Sequence, residues 1–176
     1  RLVSSAASDV YKRQVKIAVK PQYVDKLPKL WDGEVRGLLQ RVDDRGRLEE
    51  FAEITSIEHI LERKLSGLSG GELQRVAICA TILKEADVYF FDEPSSYLDI
   101  HERMRVVSII QSLVEDGKRI IVIEHDLAIL DVLCDLVHIV YGQRAAYGIF
   151  TPPRTTRTAI NLSLIHISEP TRHDRI

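Results

Sequence analysis

The sequence predicts an α/β fold: a mostly parallel sheet with a helical subdomain. Three observations carry that prediction. From Gly70 onward, short apolar runs of strand length alternate with stretches of helical period. Those runs are continuous rather than alternating, which is the pattern of strands buried on both faces of a parallel sheet. Residues 30–64 are instead highly charged with narrow apolar stripes, as in a small helical subdomain. The 176 residues are 45% hydrophobic and 28% charged, a globular composition large enough for one core. No apolar run approaches the roughly 18–20 residues that cross a bilayer, so no membrane partner is expected.

The elements follow in order. "VKIAVKPQ", Val15 to Gln22, alternates and stops at Pro21, which predicts a strand and its exit. "DGEVRGLLQRV", "GRLEEFAEI" and "SIEHILER" predict three helical pieces, with Ser56 as a candidate N-cap of the third. Glu72 to Glu85 predicts a helix with Leu73, Val76, Ala77, Ala80 and Leu83 on one face. Val88–Phe91, Arg119–Ile123 and Leu136–Tyr141 read as strands of the sheet. Leu98–Glu115, with Met104, Val107, Ile110 and Val114 at helical spacing, and Asp126–Cys134 read as helices. Cys79 and Cys134 fall inside apolar helical patterns and read as core residues in a reducing compartment.

The two ends do not belong to this pattern. Asp9 to Gln14 can be encoded by GAT GTG TAT AAG AGA CAG, and the reverse complement of that DNA encodes Leu-Ser-Leu-Ile-His-Ile, the run from Leu162 to Ile167. Both ends resemble a translated transposon-end adapter from library preparation. The expected organisation is therefore adapter at 1–14 and 162–176, strand and exit loop at 15–29, helical subdomain at 30–67, and the remaining core at 68–161. Setting aside five basic and three acidic residues in the ends moves the net charge from −2 to −4. That balance gives no electrostatic argument for nucleic acid.

Three motifs carry chemistry. "VYFFDEP" sets Asp92 and Glu93 at the carboxyl end of an apolar strand, where parallel sheets bind ligands. Asp92 could hold Mg²⁺ and Glu93 polarise an attacking water; the alternative is a cap for the next helix. "IVIEHD" repeats the arrangement with Glu124, His125 and Asp126. His125 could reach a γ-phosphate or make only a structural hydrogen bond, and Asp126 reads as an N-cap. Ser69-Gly70-Gly71 opens a helix and could cradle an anion, or could be a turn. The phosphate loop G-x-x-x-x-G-K-[ST] occurs nowhere in the 176 residues.

In order along the chain stand Gln22, "LSGGELQ" from Leu68, "FFDEP", "SSYLD" from Ser95, and "EHD". This order resembles the nucleotide-binding domain of ABC ATPases across Val15–Asn161. "KPQYVDKLPK", "FFDEPSSYLD", "EHDLAILD" and "AYGIFTPPR" are most similar to the first ATPase domain of the ABC-E ribosome-recycling factors, or RNase L inhibitor family. The resemblance implies a partial P-loop-type ABC ATPase domain whose Walker A half is missing. It implies Gln22 as the Q-loop residue, a ligand of Mg²⁺ with Asp92, and Glu93 and His125 as catalytic residues with Gln22. Ser69, Gly70, Gly71 and Glu72 would form the signature that serves the ATP of the opposite domain, and Asp99 the D-loop aspartate. The implied cofactors are ATP and Mg²⁺, with iron–sulfur clusters only in an N-terminal domain absent here. Implied partners are a second ATPase domain of the same chain, the small ribosomal subunit, and release or rescue factors, in the cytoplasm. The fragment itself is expected to be inactive and to expose an apolar sheet edge.

Three rival readings each require something further. A membrane-transporter ATPase shares the mechanism but needs an apolar groove, where residues 30–64 offer charges. A chromosome-maintenance ATPase needs a long insertion before Leu68. An α/β-hydrolase triad of Ser69, Asp99 and His125 needs a strand directly before Ser69.

Overall fold

The computed structural model describes residues 15–143 and 147–161; the ends read as adapter, 1–14 and 162–176, lie outside the described residues. The chain forms two compact units that divide after Glu124.

The first unit is built on a three-stranded parallel sheet in the order β1 (Ile17–Lys20), β2 (Val88–Asp92), β3 (Arg119–Ile123). Parallel neighbours need long crossovers. The first crossover holds the helical segment, α1 (Leu27–Leu30), α2 (Val35–Val42) and α3 (Leu48–Ile54), and then α4 (Gly70–Ile82); the second is α5 (Ile100–Glu115). The register sets Ala18 beside Tyr89 and Lys20 beside Phe91, with Tyr89 beside Ile120. These residues share one face, on which Ala18, Lys20, Tyr89 and Phe91 are buried. Each large apolar side chain taken out of water there contributes about 1.5–3 kcal/mol.

The sheet is not buried on both faces as the apolar runs predict. Ile17 and Val19 on β1 and Ile121 and Ile123 on β3 remain about half exposed. The covered phase of β1 is the one that carries Ala18 and Lys20, opposite to the phase its apolar residues suggest. These exposed side chains share one face of the sheet, whereas the sequence predicts an exposed apolar edge.

α4 is buried on most of its circumference, including Gln74, Ile78 and Cys79, rather than on one stripe. A helix hydrophobic almost all round belongs inside a domain. In α5 the buried set is Val106, Val107, Ile109, Ile110 and Leu113, while Val114 is exposed. The predicted stripe is therefore rotated by about one position.

The third helical piece of residues 30–64 is only a 3₁₀ turn, Glu58–Ile60, and Ser56 does not cap it. Ser56 instead terminates α3. Its N–H donates to the Glu53 carbonyl and the Ile57 N–H to the Ala52 carbonyl, the paired bonds of a Schellman ending. Its φ of 56° is the left-handed conformation that ending requires. The α3 end takes these residues first, and the chain then runs through two short 3₁₀ turns, Glu58–Ile60 and Leu65–Gly67. Asp43 caps α3 from the other side, accepting from the N–H groups of Arg45, Arg47 and Leu48.

The second unit begins at His125. Asp126 caps α6 (Leu127–Leu133) as the sequence predicts, accepting from Ala128 and Ile129. The strand expected over Leu136–Tyr141 is two strands, and neither joins the parallel sheet. β4 (Leu136–Val137) pairs antiparallel with β7 (Arg154–Thr155), and β5 (Val140–Gln143) with β6 (Tyr147–Phe150). The break falls where the Ile139 N–H turns to the Thr151 hydroxyl at 2.9 Å and the Ile139 carbonyl accepts from Thr151. Because β6 and β7 return directly along the chain, the pairing is antiparallel.

Candidate active site

Glu93 follows directly on the last residue of β2, at the carboxyl end of the parallel sheet. Its φ is 47°, outside the conformations that non-glycine residues ordinarily take. Such strain persists where surrounding groups over-determine it. They do so here. The Glu93 N–H donates to the Ile123 carbonyl of β3 at 2.8 Å. Its carbonyl accepts from Gln74 Nε2 at 2.7 Å and from Lys20 Nζ at 3.2 Å. Its carboxylate accepts from Gln22 Nε2 at 2.6 Å on Oε1 and from the Ser96 hydroxyl at 3.2 Å on Oε2.

Gln22 and Glu93 are thus brought together as the motif order implied. Asp92, half-buried, ends β2 beside them. Among the described residues no three His, Cys, Asp or Glu side chains converge as a closed metal cage. The residues present fit Mg²⁺ that arrives on a polyphosphate, since that ion keeps most of its water and takes one or two protein oxygens. With its amide nitrogen turned to Glu93, Gln22 has its amide oxygen to offer, together with the Asp92 carboxylate.

Ser69 is the N-cap of α4 and closes a capping box with Glu72. The Ser69 hydroxyl accepts from the Glu72 N–H and lies 2.8 Å from Glu72 Oε2, which also accepts from the Ser69 N–H at 2.7 Å. Arg63 braces the other Glu72 oxygen at 2.9 Å and reaches the Gly67 carbonyl at 2.6 Å. The Ser69 N–H, with the Arg63 charge in support, holds the Glu72 carboxyl below its ordinary range. Of the unpaired amides that open a helix, the box satisfies those of Ser69 and Glu72. Those of Gly70 and Gly71 take no partner among the described residues. Ser69 and Gly70 are exposed.

The two glycines have a second reason to be there. A Cβ on Gly71 would come within 3.0 Å of the Tyr97 carbonyl oxygen, and one on Gly70 within 3.3 Å of the Tyr97 ring. Residues 95–98 therefore pack directly on the start of α4. Tyr97 itself has φ 64° and an exposed side chain. Asp99 caps α5, accepting from the Glu102 N–H at 3.0 Å, and that bond keeps its carboxyl low. A 3₁₀ turn, not a strand, precedes Ser69, so the hydrolase elbow is absent.

β2, which leads into Glu93, and β3, which leads towards His125, are neighbours in the sheet. His125 stands two residues after β3, is exposed, and opens the second unit.

Sequence reasoning missed four participants. Lys20 is fully buried, and its ammonium donates to the Asp92 carbonyl at 2.7 Å as well as to Glu93. Burial lowers its pKa to about 8, against the opposing pull of Asp92, Glu93 and Glu124. Gln74 is fully buried too; an amide between Leu73 and Val76 on an apolar helix was the signal that could have found it. Buried Ser95 donates its hydroxyl to Glu124 Oε2 at 2.7 Å, tying the turn after β2 to the end of β3. Ser96 stood out in the sequence only as part of a motif.

Residues 4–96 match the family model described as ABC transporter. An uncharacterised ABC transporter ATP-binding protein of Methanocaldococcus jannaschii is 50% identical over 147 residues, 84% of this chain and 24% of that protein. Among solved structures, the complex of archaeal ribosomal stalk protein aP1 and archaeal ribosome recycling factor aABCE1 matches with TM-score 0.82 and 49% identity. The match covers 89% of this chain and 30% of that one. Ribosome-bound archaeal Pelota and ABCE1 gives 0.81 and 49%, over 92% and 27%. The chain spans about a quarter of the length of the curated relatives it matches.

Proposed function

The chain belongs to the ABC transporter family, and from that premise we propose that it is part of an ATPase domain that hydrolyses ATP to drive the splitting of ribosomal subunits. The observation that supports catalysis is the hydrogen bond from Gln22 to the carboxylate of Glu93, at the end of a parallel strand. Glu93 is the general base. Held in place by Gln22 and Ser96, it takes the proton of a water that attacks the γ-phosphorus in line, as the bond from that phosphorus to the β–γ bridging oxygen breaks and ADP leaves. Asp92 and Gln22 would hold Mg²⁺, which would supply positive charge to the polyphosphate. The family resemblance assigns His125 a hydrogen bond to a γ-phosphate.

Ser69, Gly70 and Gly71 serve a different nucleotide, bound by a second ATPase domain of the same protein. Two amides at an exposed helix start offer hydrogen bonds and positive dipole to a phosphate. Glu72 keeps that turn in shape, and Asp99 fixes the start of α5 beside the loop that packs on it. The ribosome-recycling assignment rests on the similarity to aABCE1 and on the ribosome-bound neighbour. Release or rescue factors are the further partners, and the cytoplasm the location. Among the described residues no helix is long and apolar enough to cross a membrane.

The test uses the full-length protein. Glu93→Gln should retain ATP binding, lose turnover by two orders of magnitude or more, and co-sediment with small ribosomal subunits in the ATP-bound state. Undiminished turnover would remove Glu93 as the base. Co-purification with a membrane permease instead of ribosomes would replace the recycling role with a transporter.

A further inference from the structure

We propose that Lys20 and Gln74 are positioning residues for Glu93: a two-armed clamp on its backbone carbonyl that imposes its left-handed conformation and joins it to the helix that opens at Ser69. The proposal rests on Glu93 acting as the base.

The clamp comes from two elements distant in sequence. Lys20 ends β1, Gln74 lies in α4, and both side chains are fully buried. Their nitrogens converge on one oxygen, at 3.2 and 2.7 Å. Lys20 spans one residue further and takes the Asp92 carbonyl at 2.7 Å, so the two successive carbonyls at the turn are both held.

Neither side chain suits its place on packing grounds. The Gln74 Oε1 atom is buried and accepts no hydrogen bond among the described residues. An unsatisfied buried acceptor carries a penalty that leucine or methionine would avoid. The amide's return is its N–H, and because a carbonyl can only accept, the nitrogen is the end that must face Glu93. Lys20 likewise buries an ammonium where β1 otherwise offers alanine to the core.

The consequence for catalysis is geometric. Residues with positive φ relax when released. Freed of the clamp, the turn at Glu93 can rotate toward ordinary φ and carry its carboxylate away from Gln22. Misplacement of a reacting group by about 1 Å costs roughly 100-fold in rate. Gln74 also stands about one turn beyond the Ser69–Gly71 start of the same helix. A shift of that start on meeting a second nucleotide therefore moves the donor on the Glu93 carbonyl. The two nucleotide sites of the proposed mechanism meet through one hydrogen bond.

The experiment measures ATP turnover of the full-length protein carrying Gln74→Leu, Lys20→Met, Glu93→Gln, and each of the first two combined with the third. Nucleotide affinity is measured in parallel. Expected are an at least 10-fold fall in kcat for each clamp variant, with KM and nucleotide Kd within twofold of the parent. In the Glu93→Gln background the clamp variants should cost nothing more, since they act through that carboxylate. Should Gln74→Leu fail to fold, Gln74→Asn, one methylene too short to reach the carbonyl, reads the same arm. Two results overturn the clamp: kcat within twofold of the parent in the clamp variants, or an equal fall with and without Glu93. If Glu93→Gln itself turns over normally, the proposed base fails instead, and the two failures are distinct.

Discussion

Lys20→Met tests the electrostatics at the sheet end through stability alone. The lysine is fully buried, and desolvation lowers its pKa from 10.5 to about 8. Below pH 8 the amine is protonated both folded and unfolded and contributes no slope. From pH 8 to 10.5 the folded state gives up its proton while the unfolded chain keeps it. Stability rises with pH wherever the unfolded state binds more protons. A tenfold difference in proton affinity between the two states corresponds to about 1.4 kcal/mol, so the full displacement amounts to about 3 kcal/mol, gained across that window and complete above it. This is an upper figure, because carbonyls and carboxylates rather than hydrocarbon surround the ammonium. The assay is urea unfolding of parent and Lys20→Met at half-unit steps from pH 7.5 to 10.5, read as the difference between them. Cys79, whose thiol burial pushes up to about 12, and Tyr89, also raised by burial, destabilise both proteins alike in this range and cancel. The parent should gain on the variant by about 1 kcal/mol per pH unit. A flat difference would show an amine open to solvent. A parent losing ground as pH rises would show that Asp92, Glu93 and Glu124 outweigh desolvation and hold the charge.

Two smaller predictions concern local structure and thiols. Ser56→Gly should stabilise the chain by about 0.5 kcal/mol in urea unfolding, because the α3 ending needs a left-handed residue and glycine takes that conformation without the Cβ penalty; a loss of stability would mean the Ser56 side chain matters more than its backbone. Native Cys79 should resist a thiol reagent such as DTNB, while partly buried Cys134, also raised by burial and with its thiol donating to the Leu130 carbonyl, reacts slowly. Two equivalents should react at once in denaturant, and rapid native labelling at Cys79 would contradict its burial.

The local signals in the sequence were legible because they are set by neighbours a few residues apart. Asp126 before α6 is a cap placed from spacing, and it forms; Ser69 with Glu72 and Asp99 before α5 form caps as well, although the expected helices started at Glu72 and Leu98. Strand positions of β2 and β3 followed from apolar runs that no helix of that length would need. What sequence could not order was which face of a strand is covered. Alternation in β1 fixes two faces but not which meets α4, and the partner chosen by the fold is the face with Lys20. Ser56 misled for a related reason: a polar residue between two helical patterns can end the first or begin the second. The Schellman bonds to Glu53 and Ala52 decide it, and those depend on Ile57 packing, a tertiary event. The strands of the second unit misled because a β-branched run does not declare its partner's direction.

The motif residues themselves carry more than their motif roles. Gly70 and Gly71 read as room for a phosphate, yet Tyr97 already approaches both. Their small size is required by packing before any ligand arrives, and the amides left over by the Ser69–Glu72 box become available because of that packing. Glu93 reads as an acid at a strand end, yet its geometry depends on Lys20, Gln22, Gln74, Ser96 and Ile123, supplied by three strands or their exits and by α4. A substitution at any of these positions acts on the carboxylate without touching a nucleotide. The practical consequence is that loss of activity alone cannot sort ligand-contacting residues from supporting ones here. The separation comes from non-additivity: a supporting residue loses its effect once Glu93 is gone, whereas a residue that touches the phosphate keeps it.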